Sequence, residues 1–278
     1  MVAKAQAYCV STSIVGPRGR VESLEALAAG GFYELEIGGD PGKLDNWIED
    51  PAGMRRQMAD LGLRARVLHL ASEAWDIAHP DDAARREIMD LALRGLRDAA
   101  GVGAEVVICH PNGPSADYSI YTPADAAPSM ARTRESMEIL AEEAARLGLR
   151  LALENLPLRH TARPGGQMAD ILSIIDGLGA HVGVCQDVGH SNANGMDAAA
   201  DARQAGDRLF ALHLQDNDGL GEDQHLLPGE GTVAWGPYLA ALDEIGFAGF
   251  RTFEIKAADD LAADLAALQR IVADWNGR

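Results

Sequence analysis

Four short apolar runs of the chain each end in a residue that can bind a divalent metal. The runs are Leu151–Glu154, Val182–Asp187, Leu209–His213 and Phe250–Glu254. Each run is typical of a buried strand, and each delivers a carboxylate or an imidazole at or near its carboxyl end. In a parallel barrel the carboxyl ends of the strands converge on one face. We therefore expect a metal site made by Glu154, Asp187, His213 and Glu254.

More donors occur at the same kind of position. Five of the eight histidines follow predicted strands, which is more than isolated core histidines would explain. Glu36, in the second predicted strand, is a further acidic residue near these ends. The candidates for additional metal or substrate contacts outside the four-residue set are His69, His110, His190, Asp223 and His225.

A metal is a better partner for these buried carboxylates than a set of salt bridges. The chain has 42 Asp and Glu against 24 Lys and Arg, and few basic residues fall in the loops that follow the strands. Buried charges need partners, so a cation held by the acids themselves is the economical solution. Oxygen and nitrogen donors without thiolate suit one Mn²⁺, Mg²⁺, Co²⁺ or Zn²⁺ ion.

Strand and helix patterns alternate along the whole chain, which predicts a single-domain (β/α)8 TIM barrel over residues 1–278. The predicted strands are Ala7–Ile14, Tyr33–Ile37, Arg64–Leu70, Glu105–His110, Arg150–Glu154, Val182–Asp187, Leu209–Leu214 and Arg251–Ile255. The predicted helices are Ser23–Ala29, Ala83–Ala100, Ser129–Leu147, Met168–Leu178, Tyr238–Ile245 and Asp260–Trp275, and glycines follow most of them. A doubly wound sheet would need a glycine-rich turn after the first strand, and Ser11–Gly16 lacks one.

Composition limits the partners and the location. The formal net charge of −18 argues against nucleic acid and against anionic membranes. No run reaches the ~18 apolar residues of a spanning helix, and three cysteines without a spacing pattern suggest reduced thiols. We therefore expect a cytoplasmic protein with a small-molecule partner. Trp47, Trp75 and Tyr118, in the loops, are candidates for a homo-oligomer interface or a substrate lid.

Several stretches resemble the xylose isomerase-like TIM barrel superfamily, in particular its sugar phosphate isomerase/epimerase branch. The matching stretches are ELEIG (34–38), LALENLP (151–157), VGVCQDVGH (182–190), LHLQDNDG (212–219), DQHLLPGEGTVAW (223–235) and FEIK (253–256). The resemblance implies that Glu154, Asp187, His213 and Glu254 bind one divalent metal and that His190 contacts the substrate. Ketose 3-epimerases carry an arginine shortly after the seventh-strand histidine, whereas this chain reads Gln215–Gly219 there.

This site predicts metal-dependent isomerisation or epimerisation of a ketose or a related α-hydroxy ketone. A metal that polarises the carbonyl acidifies the neighbouring C–H bond and stabilises an enediolate. One glutamate would remove the proton, and a second on the opposite face would return one. Glu154 and Glu254 are the predicted acid–base pair, with His190 as the third catalytic residue.

Three alternatives use the same residues. Endonuclease IV, a trinuclear zinc enzyme of the same superfamily that cuts abasic DNA, would use nine positions, all of which carry a suitable residue here. They are His69, His110, Glu154, Asp187, His190, His213, Asp223, His225 and Glu254. An inosose-type dehydratase would share the proton abstraction but expel a hydroxyl group. A non-catalytic carbohydrate-binding protein would hold the metal without turnover.

Overall fold

Eight parallel strands close into one barrel, which confirms the predicted (β/α)8 architecture. The computed structural model describes residues 8–113, 122–159, 161–257 and 259–277. The strands follow one another around the ring in chain order, and the last pairs with the first, so the sheet has no free edge. They are β1 (Tyr8–Ser11), β2 (Glu34–Gly38), β3 (Arg64–His69), β4 (Val106–Cys109), β5 (Arg150–Glu154), β6 (Val182–Asp187), β7 (Leu209–Leu214) and β8 (Phe250–Phe253).

Helices cover the outside of the barrel. They are α1 (Arg20–Ala29), α2 (Pro51–Asp60), α3 (Asp82–Val102), α4 (Pro123–Leu147), α5 (Met168–Ile175), α6 (Val188–Ala193), α7 (Ala198–Ala205), α8 (Trp235–Glu244) and α9 (Leu261–Asn276). The main core lies between these helices and the strands and is built from buried aliphatic and aromatic side chains. Since both faces of the sheet are covered, most of the strands are continuous apolar runs rather than alternating ones.

Three predicted boundaries are shifted by local hydrogen bonding. The first strand ends at Ser11, because the Ser11 hydroxyl accepts from the Ser13 amide and starts a 3-10 helix, Thr12–Val15. Ala7, the predicted start of that strand, lies outside the described residues. Helix α3 continues through Gly101 and ends at Val102, and Gly103, with a φ of +92°, provides the left-handed cap. The helix predicted over Met168–Leu178 stops at Ile175.

Three helices were not predicted from the sequence, and each begins at an aspartate cap. Asp50 accepts from the Gly53 amide at the start of α2, and Asp197 accepts from two amides at the start of α7. Asp187, a predicted metal ligand, also caps α6 through its Oδ1, which accepts from the His190 amide at 2.8 Å. Residues 189–198 therefore contain the end of one short helix and the start of another.

A small apolar cluster lies on the same side of the strands as the predicted ligands. It includes Ala152, Cys185 and Ala211, together with Val67, Val106, Ile108 and Phe210. Side chains two apart along a strand point to the same face, so the first three lie one step below Glu154, Asp187 and His213. The ligands therefore stand on an apolar layer that closes the barrel beneath them.

Trp47 and the three cysteines are buried. Trp47 is fully buried, and its indole N–H donates to the Gly38 carbonyl at 2.9 Å, so the expectation that it is exposed for an interface or a substrate lid was wrong. The cysteines are free and buried, and burial raises the pKa of each thiol.

Among the described residues, no helix combines the length and the apolar character that crossing a membrane requires. Tyr118 lies outside the described residues.

Candidate metal centre and substrate cleft

The four predicted metal ligands meet at the carboxyl ends of β5, β6, β7 and β8. One ligand atom from each of Glu154, Asp187, His213 and Glu254 lies within 4.8 Å of all the others. His213 is at the centre, and its Nδ1 lies 3.0 Å from Glu154 Oε1 and 3.0 Å from Glu254 Oε2. Asp187 Oδ2 is 3.8 Å from the same nitrogen. Three carboxylates and one imidazole thus form a donor set of the kind that binds divalent cations.

Glu36 fixes the orientation of the central histidine. Its Oε2 lies 3.0 Å from His213 Nε2, and both side chains are fully buried. A carboxylate on the far nitrogen of a ligating histidine holds the ring and its tautomer. Glu36 therefore leaves His213 Nδ1 facing the other three carboxylates.

Two further histidines approach the second oxygen of Glu154. His69 Nε2 and His110 Nε2 each lie 3.2 Å from Glu154 Oε2. The ring of Trp75 packs over His110 with 4.2 Å between the ring centroids, and its indole N–H donates to the Leu70 carbonyl. Trp75, a candidate for an interface or lid, is therefore part of the wall of this site.

His190, Asp223 and His225 form a third group beside the first two. Asp223 Oδ2 lies 3.0 Å from His190 Nε2 and 3.1 Å from His225 Nε2. The other nitrogen of each ring faces a backbone carbonyl, that of Asn155 for His190 and that of Glu254 for His225. The structure thus brings all nine predicted donors together as three adjacent groups that can each hold a cation.

The surrounding carboxylates raise the pKa of four of the five histidines in this cluster, which favours their protonated form. Burial favours the neutral imidazole, but the surrounding carboxylates outweigh it and raise the pKa of His69 to about 9. The same competition raises the pKa of His190 and of His225 to about 10. The pKa of His213 is raised well above its usual value despite burial, by Cys185, Glu254 and Glu36 in that order. His110 differs, because burial lowers its pKa to about 4.

The pKa values of the carboxylates with a resolved shift in the cluster are lowered, with one exception. Burial alone would raise the pKa of Glu254, but His213 lowers it to about 2, and the pKa of Glu154 is also well below its usual value. Asp187 is the exception, because burial raises its pKa to about 6. At neutral pH the cluster therefore contains ionised carboxylates next to cationic histidines.

A buried aspartate that the sequence analysis missed organises the long loop after β7. Asp216 accepts hydrogen bonds from the amides of Asn217, Gly229 and Val233 and from the indole N–H of Trp235, all between 2.8 and 3.0 Å. This loop contains Asp223 and His225. The sequence did not indicate this role, because the N–H groups that donate to Asp216 come from positions up to 19 residues away.

A cleft opens above the ligands and continues into a second cavity. The first cavity, of about 110 Å³, is lined by seven of the nine donors and by Trp75, Leu156, Pro157, Arg159 and Arg163. The second, of about 310 Å³, includes Lys43 and Lys256 in its walls. Four residues line both cavities and make them one continuous space. They are His69, Trp75, His225 and Glu254.

Arg163 joins the loops that follow β4 and β5. Its guanidinium is buried, and Nε donates to Asn112 Oδ1 at 2.7 Å. The amide nitrogen of Asn112 in turn donates to the Pro164 carbonyl at 2.8 Å. The two loops are therefore held together at the rim of the first cavity, a contact between distant segments that the sequence did not indicate.

Non-glycine residues with left-handed backbone are concentrated in the loops on the face of this cleft. Five non-glycine residues of the described chain have φ between +45° and +55°, a conformation that costs about 1–3 kcal/mol each. All five lie in loops that follow strands on the ligand-bearing face. They are Leu44, Asp45 and Asn46 after β2, Arg159 after β5, and His225 after β7.

The fold and the cluster define the class of this protein as a (β/α)8 barrel with candidate metal ligands at the carboxyl ends of its strands. Residues 24–271 match the model of the xylose isomerase-like TIM barrel family. The chain belongs to that family, as the sequence resemblance implied.

Relatives with similar sequences include proteins with and without a described activity. An uncharacterized protein of Methanocaldococcus jannaschii is 26% identical over 197 residues, which is 70% of this chain. The match covers 65% of that relative, so this chain spans less than two thirds of its length. A D-psicose 3-epimerase of Enterocloster bolteae is 34% identical over 86 residues, 31% of this chain and 27% of that protein.

Solved structures share the fold over nearly the whole chain. A D-tagatose 3-epimerase-like protein has a TM-score of 0.82 at 20% identity and covers 98% of both chains. The IolI protein, crystallised with a bound zinc atom, has a TM-score of 0.80 at 17% identity, again over 98% of both chains. At these identities the likeness establishes the common barrel.

Replacing Asp216 by Asn should destabilise the protein by about 2–4 kcal/mol, because an amide nitrogen would face N–H groups that now donate to a buried carboxylate. Urea denaturation followed by circular dichroism measures the free energy of unfolding. Asp218→Asn, at an exposed position two residues further on, is the matched control and should change it by less than about 0.5 kcal/mol. Equal stability of the two variants would contradict the role of Asp216.

Metal binding should release protons and strengthen as the pH rises from 6 towards 9. The histidines with raised pKa values are protonated at neutral pH and must lose the proton to ligate. Titration calorimetry with Mn²⁺ or Zn²⁺ in two buffers of different protonation enthalpy counts the protons. Occupation of the His213 site alone should release about one proton, and occupation of all three groups about four. An affinity independent of pH would contradict this charge assignment.

Proposed function

We propose that the protein is a divalent-metal-dependent sugar isomerase or epimerase that acts on a ketose or a related α-hydroxy ketone. The observation that carries the proposal is the convergence of Glu154, Asp187, His213 and Glu254 at the base of a cleft. The partial sequence similarity to a D-psicose 3-epimerase and the shared fold with a D-tagatose 3-epimerase-like protein support it. A carbohydrate substrate, rather than nucleic acid, is consistent with the net charge of −18.

The donors fit one divalent cation of the Mn²⁺, Mg²⁺, Co²⁺ or Zn²⁺ type. Glu154 is 1% exposed and Asp187 and His213 are fully buried, so without a cation the carboxylates depend on protonated histidines for charge compensation. A bound cation would supply Lewis acidity, polarising the substrate carbonyl and acidifying the adjacent C–H bond.

Glu154 and Glu254 are the proposed acid–base pair. They come from β5 and β8, which are three positions apart around the ring, so their side chains enter the cleft from different directions. The low pKa of both glutamates keeps them ionised at neutral pH and able to accept a proton. Removal of the α-proton by one glutamate and return of a proton by the other, on the opposite face, would invert the carbon.

His190 is the proposed substrate contact. Its Nδ1 is fixed by the Asn155 carbonyl at 2.8 Å, which leaves Nε2 directed towards Asp223. In a substrate complex Nε2 would exchange this carboxylate for a sugar oxygen and donate a hydrogen bond to it. The apolar side chains of Trp75, Leu156 and Pro157 would exclude water from the same space.

Replacing Glu154 or Glu254 by Gln should reduce exchange of the substrate α-proton with solvent at least about 1,000-fold, because an amide cannot accept the proton. Deuterium incorporation into a ketose, followed by NMR at saturating Mn²⁺, measures this exchange. Glu230→Gln, exposed in the loop after β7, is the control and should exchange at the wild-type rate. Undiminished exchange in both active-site variants would rule out the mechanism. Loss of a hydroxyl group from the product would identify the dehydratase alternative.

A second candidate function is supported by the number of donor groups. His69 and His110 with Glu154, and His190 with Asp223 and His225, form two groups beside the first, as a trinuclear zinc nuclease requires. The strongly negative charge of the chain opposes DNA binding. We therefore rank this function second, with a cytoplasmic location predicted for either enzyme.

Metal content per chain distinguishes the two functions. Plasma mass spectrometry of protein purified without added metal should find about one divalent ion per chain for the isomerase site, since one four-ligand group completes a coordination shell. About three zinc ions per chain would favour the nuclease, and cleavage of abasic DNA would then be the decisive assay.

A further inference from the structure

The second cavity of the cleft concentrates the lysines of an acidic chain. The chain contains three lysines and has a net charge of −18. Two of the three, Lys43 and Lys256, line this one cavity. They come from loops after β2 and β8, far apart in sequence, so the barrel brings them together. The sequence alone did not indicate this pairing, because no single loop contains both lysines.

Neither lysine is used in a salt bridge within the part of the chain that the structure describes. The salt bridges there are made by arginines and histidines. Two acids, Asp40 and Glu254, line the same cavity. Asp40 Oδ1 accepts from the Ser72 amide at 2.8 Å and from the Ser72 hydroxyl at 2.7 Å, and Glu254 Oε2 lies 3.0 Å from His213 Nδ1. Both carboxylates thus have partners other than the lysines, and the two ammonium groups can meet an anion in the cavity.

Lys256 is tied closely to the candidate metal centre. It follows the ligand Glu254 by two residues, and its amide donates to the His225 carbonyl at 3.2 Å. The His225 ring in turn faces the Glu254 carbonyl at 2.9 Å. These contacts fix the backbone of Lys256 beside two residues that line both cavities.

Lys43 is presented by a strained segment. Leu44 is 5% exposed and anchors the loop in the core, although its φ of +47° is unfavourable for a leucine. Asp45 and Asn46 continue the left-handed backbone. Strain of this kind persists where the surrounding structure imposes it and is frequent at ligand-binding sites. The segment holds Lys43 at the wall of the second cavity rather than leaving it on a free loop.

The two cavities adjoin at Glu254 and His225, so a substrate whose carbonyl lies at the candidate metal ligands can continue into the second cavity. With carbon–carbon bonds of about 1.5 Å, the terminal carbon of a five- or six-carbon 2-ketose lies roughly 4–5 Å from the carbonyl carbon. The lysine side chains line the space that this end would enter.

We propose that Lys43 and Lys256 bind an anionic terminal group, a phosphate ester or a carboxylate, on the sugar that reacts at the metal ligands. This proposal rests on the proposed isomerase or epimerase function and specifies its substrate class. The ammonium groups act as charged hydrogen-bond donors to the anion. They also provide local positive charge that attracts it into the cleft of an acidic protein.

The test compares neutral and anionic substrates on the full-length protein loaded with Mn²⁺. Ketopentoses and ketohexoses, their terminal phosphates and the corresponding terminal carboxylates are assayed by α-proton exchange. The variants are Lys43→Gln and Lys256→Gln, and the control is Arg86→Gln, which removes one positive charge from an exposed position on α3. A charged hydrogen bond corresponds to about a 10- to 100-fold change in binding.

The expected result is a lower KM for one anionic class than for the neutral sugars. Each lysine variant should raise that KM by about 10- to 100-fold while changing kcat and the neutral-sugar kinetics by less than about 3-fold. The phosphate and carboxylate arms identify which anion is bound. Equal kinetics on neutral and anionic sugars, or unchanged kinetics in both lysine variants, would overturn the proposal and leave the proposed function standing.

Equilibrium binding separates the two proposals if no sugar shows exchange. Titration calorimetry with the same sugar phosphates and sugar acids measures affinity without turnover. Selective binding that weakens in Lys43→Gln and Lys256→Gln, but not in Arg86→Gln, would support the anion site even though the isomerase function had failed. Absence of selective binding in the wild-type protein would overturn the anion site as well.

Discussion

The structure depends on the placement of one buried carboxylate, that of Glu154, among several imidazoles. It is 1% exposed and has His69 and His110 near one oxygen and His213 near the other. A buried charge is tolerated only with close opposite charge or a cation. Every neighbouring element is arranged to supply that compensation, from the strand ends that carry the histidines to Glu36, which orients one of them.

This constraint links the barrel to its chemistry. The strands carry the candidate metal ligands at their carboxyl ends, and the small residues Ala152, Cys185 and Ala211 form an apolar layer beneath them. Asp187 contributes both to the candidate metal centre and to the fold. Its Oδ2 faces the other candidate ligands, and its Oδ1 caps α6. Rigid elements therefore set the site, and loops set what surrounds it.

The sequence allowed prediction of features whose signal is local. A buried strand followed by an acid or a histidine is visible in a few consecutive letters, so Glu154, Asp187 and His213 were identified correctly as neighbours. Features that depend on contacts between distant segments were not visible. Trp47 is buried only in the folded barrel. Lys43 and Lys256 likewise line one cavity only because the barrel closes. The short helices α6 and α7 were not predicted, because aspartate caps rather than a hydrophobic repeat define them.

The hydrogen bonds of Asp216 have a consequence for how this scaffold can diversify. They fix both ends of the segment between Asn217 and Val233, and a Cβ atom at Gly231 would lie 2.3 Å from the Asp216 carboxylate, so the frame admits little variation. Inside the frame, the carboxylate of Asp223 contacts His190 and His225, whereas the His225 carbonyl also accepts from the Lys256 amide. The side chain at position 223 can therefore change while the loop keeps its shape. One architecture could in this way be converted between single-ion and multi-ion chemistry by point substitutions, without redesign of the barrel.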